Sequence, residues 1–331
     1  MRGFAVFGKL MNNYYYGKSG KGDYKRDDLP KNRRQLFFEM LRIRLAGLFR
    51  LNLMTAVAFL PMVYVFIILA NTLFAHLVTL SEAIAAEAGS EQTLELIRNS
   101  PQTIYSILFS GLVMLIPCIL ITGPVQAGMA YVTRNWARDD HAFVWSDFKD
   151  AVKENWKQAL GVSAITSLMP LVMLVCYQFY GNMAANSLFF VVPQMLTLAL
   201  GLVWMLSLAF IYPMMVSYRM GFGTLLRNGL LLAVGRLPQA AGVRLIMLIP
   251  ALIAALAAFF TPYLMYALMA LCGYYLLIGN ALARFVYASF SNAVFDRFIN
   301  AHIPGVLINR GLADEDEDGE DELQQPGDGK A

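Results

Sequence analysis

Long stretches without a formal charge alternate with short segments crowded with arginine and lysine. Residues 51–80, 102–133, 158–218 and 245–283 contain no Asp, Glu, Lys or Arg. A helix crosses the hydrocarbon core of a bilayer, roughly 30 Å, in about 20 residues, so every one of these runs is long enough to span it. The first two predict one span each, at about 51–80 and 102–133. The third is 61 residues long, which at 1.5 Å per residue is about 90 Å of helix. Both its flanks are basic, so it crosses an even number of times. Two spans fit, at about 158–180 and 187–218, turning near Tyr180-Gly181-Asn182 and resuming by Ser187. The fourth lies between Arg244 and Arg284. The same parity gives spans at about 243–260 and 262–284, reversing near Thr261-Pro262. The fifth span is short, which leaves a re-entrant last pair as the alternative. The reading is an all-α, polytopic transmembrane helical bundle of about six spans.

Charge then orients it. Of the 26 Lys and Arg residues, 25 lie in segments that fall on one side, and Arg98 alone lies on the other. Loops on the cytoplasmic side are enriched in Lys and Arg, so both termini are predicted to be cytoplasmic and 81–103 exterior. Three basic segments that precede spans look amphipathic and are expected to lie in the membrane interface. The first begins at Asp27-Asp28-Leu29-Pro30 and places Phe37, Leu41, Leu45 and Leu48 on one stripe. The second begins at Ser146-Asp147, a good cap pair. It puts Phe148, Val152 and Trp156 on one face and Lys149, Lys153 and Lys157 on another. The third covers about Phe222 to Leu237. The organisation is a basic segment at 1–50, a membrane domain at 51–290 and a C-terminal segment at 291–331 whose acidic tail is predicted to be disordered. A weak repeat pairs Gln158-Ala159-Leu160-Gly161-Val162 with Gln239-Ala240-Ala241-Gly242-Val243.

Composition narrows the chemistry. The chain is 58% hydrophobic and 15% charged. The basic N-terminal segment suits anionic lipid headgroups rather than nucleic acid. Cys118, Cys176 and Cys272 lie inside apolar runs without a CxxC partner, and His76, His141 and His302 sit in separate segments. No cofactor or metal is expected. Gly17-Lys18-Ser19 resembles the end of a phosphate-binding loop, but Asn12 stands where that loop requires glycine. The four runs hold no carboxylate, and intramembrane proteases and proton relays need ionisable groups there. An enzyme is therefore not expected. The polar residues of the spans include Asn71, Gln126, Gln178, Gln194 and Asn280, read as helix–helix hydrogen-bonding groups, with a substrate-lining role as the alternative. Gly123, Gly128, Gly273 and Gly279 are read as sites of close helix packing.

Two stretches carry a resemblance. One runs from Gly17-Lys18-Ser19-Gly20 to Leu51-Asn52-Leu53-Met54, the other from Gly123-Pro124-Val125-Gln126 to Trp156-Lys157-Gln158-Ala159. Together they resemble the YesL-like bacterial integral membrane proteins, a family known only as domain of unknown function 624. The resemblance implies about six helices, a bacterial cell membrane and an association with carbohydrate uptake. It implies no catalytic residues. The long basic N-terminus and the acidic tail exceed the family's usual ends. Within the second stretch and its surroundings, Arg134, Trp136, Arg138, Trp145, Phe148, Asn155, Trp156 and Gln158 are the candidate interaction residues. The charged ones are read as a solvated loop or a docking surface, and the tryptophans as interfacial anchors. The expected function is a non-enzymatic accessory or regulatory protein with membrane transporter subunits as partners. A solute transporter or channel-like protein is the alternative.

Overall fold

The computed structural model describes residues 30–87, 89–260 and 263–312. The N-terminal segment before Pro30, the reversal at Thr261-Pro262 and the acidic tail lie outside those residues. Among the described residues there is no strand, and six helices are long and apolar enough to cross a membrane. The chain is thus a polytopic helical membrane protein.

The first helix, α1 (Arg33–Glu87), runs from the basic end of the bundle to the far end, and α2 (Glu91–Trp136) returns. Next, α3 (Ser146–Ala184) and α4 (Val191–Met215) make a second hairpin. The short α5 (Phe222–Gly235) lies between α4 and α6 (Leu237–Phe260). The last span is built from α7 (Leu264–Tyr274), one wide turn and α8 (Asn280–Phe298). Of the three amphipathic segments, the first two continue into their spans without a break, as α1 and α3. Only the third is a separate helix, α5, which stops where the Arg236 backbone leaves helical geometry. Helix continuity wins because every broken turn would leave backbone groups without partners.

The termini follow local chemistry. Asn32 Oδ1 accepts the N–H groups of Arg34 and Gln35 at 3.1 and 3.0 Å, and starts α1. Ser90 Oγ accepts Thr93 N–H at 3.2 Å and starts α2. At α3 the expected Ser146 cap is not used. Instead Asp147 Oδ2 reaches back to Phe143 N–H at 2.9 Å.

Burial is concentrated at the basic end. On α2 it runs almost unbroken from Thr122 to Trp136, and on α4 from Trp204 to Met215. Towards the far end the helices turn apolar side chains outward, as Leu77 and Leu188 do. Lipid is as apolar as those residues, so there is little reason to bury them, and helices associate through close packing instead. Gly123 and Gly128 provide that contact. A Cβ on Gly123 would strike Ser163 Oγ and the Ala159 carbonyl, and one on Gly128 would meet the Phe148 ring at 2.6 Å. Gly273 has open space around it and plays no such part. The stripe of α1 that is buried is Leu36, Met40, Leu48 and Leu51, while Leu45 is exposed. The three cysteines are free thiols.

The wide turn Tyr275–Gly279 is a π-type turn, which leaves carbonyls without their usual helical partners. Asn52 of α1 supplies them. Its Nδ2 donates to the carbonyls of Tyr275 and Leu276 at 2.9 and 2.6 Å, and its Oδ1 accepts Ala281 N–H at 2.9 Å. Asn52 is fully buried. Replacing Asn52 with Leu strands these groups, each unsatisfied one costing about 1–3 kcal/mol. The melting temperature in detergent, followed by tryptophan fluorescence, is expected to fall by several degrees. An unchanged value would show that the turn holds without Asn52.

Candidate functional site

Polar and charged side chains gather in two places, one at the basic end of the bundle and one between the helices.

At the basic end, Asp296 near the end of α8 joins three segments. Its Oδ2 accepts from Arg33 Nη2 at 2.6 Å and from Asn309 N–H at 3.2 Å, and its Oδ1 accepts from Asn300 Nδ2 at 2.5 Å. Asn300 Oδ1 in turn accepts the Tyr218 hydroxyl at 2.6 Å. The start of α1, the loop after α4 and the chain beyond α8 are thereby tied to one carboxylate. Burial lowers the proton affinity of the Arg138 guanidinium, and the nearby Asp296 works against that shift. Burial likewise raises the Tyr218 phenol above its ordinary range.

The candidate interaction residues fall into three environments. Arg134 and Trp136 are structural. Arg134 Nη1 donates to the Val216 carbonyl at 3.4 Å, and Trp136, 2% exposed, donates from Nε1 to the Ala142 carbonyl at 3.3 Å. Trp136 therefore packs in the protein core rather than in the lipid interface. Phe148 of α3 packs against Gly128 of α2. Arg138, Asn155 and Gln158 are half-buried. Gln158 Nε2 donates to the Met220 carbonyl at 2.9 Å, and Asn155 Nδ2 to the Ala151 carbonyl at 3.0 Å. Both line an open hollow of about 530 Å³ beside Tyr218 and Arg219. Trp145 and Trp156 are exposed at 63% and 46%, and Lys157 Nζ lies 5.6 Å from the Trp156 ring. Sequence periodicity had placed Trp156 with Phe148 and Val152, yet it points outward.

The second place is a cavity of about 300 Å³ within the membrane domain. Arg244 of α6 and Arg284 of α8 project into it, together with Tyr212, Tyr287, Gln126 and Asn280. Arg244 Nη1 donates to the Tyr287 hydroxyl at 2.8 Å, and the Arg284 guanidinium lies 4.6 Å from the centre of the Tyr212 ring. No carboxylate lines the space. Sequence reading missed these two arginines as site residues because each borders a charge-free run and reads as a topology marker. Gln126 and Asn280 were legible only as polar span residues. Among the described residues, no group of His, Cys, Asp and Glu is placed to hold a metal ion.

The sequence model of the family described as "Protein of unknown function, DUF624" matches residues 103–177, from α2 through most of α3. This is consistent with a YesL-like family member. The match contains the Gly123 to Ala159 stretch that carries the resemblance, and not the stretch around Asn52. No curated protein and no solved structure matches the chain.

Asp296→Ala removes the acceptor shared by Arg33, Asn300 and Asn309. Arg33 is partly solvated, so the expected loss is about 2 kcal/mol, below the 3–5 kcal/mol of a fully buried pair. Thermal unfolding in detergent measures it. Limited proteolysis near Asn309 is expected to accelerate in the same variant.

Proposed function

We propose that this protein is a non-enzymatic accessory or regulatory partner of a membrane system such as bacterial carbohydrate uptake, with its basic end in the cytoplasm. The observation that supports this reading is the corner between α2 and α3. Phe143 and Trp145 stand 74% and 63% exposed there, on a frame held by the Asp147 bond to Phe143 and by Phe148 against Gly128. Trp145 precedes Gln158 by 13 residues, or about 20 Å along a helix. The headgroup layer on each side of the hydrocarbon is only about 5–8 Å deep. With α3 along the membrane normal and Gln158 at the hydrocarbon edge, Trp145 lies beyond the headgroup layer. Rigid exposed aromatics of this kind are the groups that dominate protein interfaces. Trp156, nearer the span, suits the headgroup zone. The basic surface of α3, with Lys149, Lys153 and Lys157, favours anionic lipid beside it.

A second reading, a solute carrier, is favoured by the cavity between the helices. Arginine inside a membrane domain is expensive and marks function by default.

Isolation of the full chain from its own membranes in mild detergent, with mass spectrometry of co-purifying proteins, tests the first reading. Transporter subunits are expected above an unrelated membrane-protein control. A Phe143→Ala, Trp145→Ala double variant is expected to recover at least about tenfold less, the loss of two exposed aromatic contacts. A solitary protein overturns the accessory reading, and solute accumulation in reconstituted vesicles then decides for the carrier.

A further inference from the structure

We infer that the cavity between α6 and α8 is a binding site for an oxyanion, a phosphoryl or carboxylate group held between Arg284 and Arg244. The inference goes beyond both functional readings, since a regulator and a carrier alike would use such a site.

The charge balance of the cavity carries the argument. Two guanidinium groups face one space with no carboxylate in its wall. Elsewhere among the described residues, Arg33, Arg44 and Arg310 each face an aspartate, at 2.6, 3.9 and 3.2 Å. Arg244 and Arg284 face none. Both arginines are half-buried, and a charge held partly out of water is costly unless paired, so an anion from outside the chain suits the space between them.

The hydrogen bonds point the same way. Arg284 Nη1 and Arg244 Nε are buried and have no partner among the described residues. Arg44 and Arg134 also leave a buried Nε unpaired, and they, like Arg244, direct another nitrogen at protein oxygen, of Asp139, Val216 and Tyr287 in turn, so Arg284 is the member of the pair that stands apart. Arg284 has the face of Tyr212 against it, which accepts no in-plane hydrogen bond.

The geometry is also prepared. Stacking on Tyr212 holds one guanidinium plane, and the Tyr287 hydroxyl holds the other. Planar forks held this way match the paired oxygens of phosphoryl and carboxylate groups. Gln126 reaches the same space and offers an amide to a polar remainder of the ligand. A volume of about 300 Å³ admits a small molecule or one lipid headgroup. Of the six spans, α6 is the least buried in protein, so the bilayer is one route of entry and the basic end another.

The test uses the full chain in a maltoside detergent. Thermal unfolding is followed with potassium phosphate or glycerol 3-phosphate, against potassium chloride at equal ionic strength and against glycerol. The two phosphates are expected to raise the melting temperature, and chloride and glycerol are not. Arg284→Gln is expected to weaken glycerol 3-phosphate about ten- to hundredfold, the loss of one charge-assisted hydrogen bond. Arg284→Lys restores part of it. Native mass spectrometry is the second arm. One phosphatidylglycerol retained by the wild type and lost from Arg284→Gln assigns the oxyanion to a lipid headgroup. Stabilisation by the soluble phosphates without such a lipid assigns it to a free solute. Arg244→Gln serves where Arg284→Gln does not fold, and if neither folds the wild type decides: a shift that saturates at low glycerol 3-phosphate concentration supports the site, and one that only grows with salt overturns it. Equal effects of chloride and phosphate, or folded variants that keep both the shift and the lipid, overturn the site.

Discussion

The contact between Asn52 and the π-type turn of the last span is the constraint on which the membrane domain depends. A turn of this type has spare carbonyls that lipid cannot satisfy. One buried amide on α1 satisfies two of them and also receives the Ala281 N–H. The first and last spans are therefore locked in register. Asn280, Arg284 and Tyr287 follow that turn within two helical turns, and the register directs them inward. Loss of the turn would rotate everything beyond Gly279 around the helix axis and carry the arginine away from Tyr212.

Around this seam the bundle is built tightly at one end and loosely at the other. Small residues let α2 and α3 approach at Gly123 and Gly128. Asp296 gathers the start of α1, the Tyr218 loop and the chain after α8. The far end shows outward apolar side chains, because a helix in lipid gains little by hiding them. The consequence is a membrane protein whose ion pairs, among the described residues, sit at the basic end, on the side of the exposed aromatic corner.

Two features divide the functional question between them. The corner at Phe143 and Trp145 presents a surface, and the cavity presents unmatched charge. The proposed partner belongs to the first and the inferred oxyanion to the second.

Much of the architecture was legible in the chain. Charge-free length sets the number of crossings, because a bilayer penalises every formal charge in its core and every unpaired backbone group. Parity of the basic flanks sets which ends lie together. Those rules are local and one-dimensional, and they sufficed for six spans and for the packing role of Gly123. What they do not encode is the direction of a side chain around its helix. Trp136 and Trp156 looked alike, and one is in the core while the other faces outward. Asn52 looked like any polar residue at the start of a span, and its partners lie more than 220 residues away. Arg244 and Arg284 looked like markers of the basic side, as snorkelling arginines do. Only the tertiary structure turns both towards one space, because their orientation is set by Tyr212, Tyr287 and the π-type turn rather than by anything adjacent in sequence.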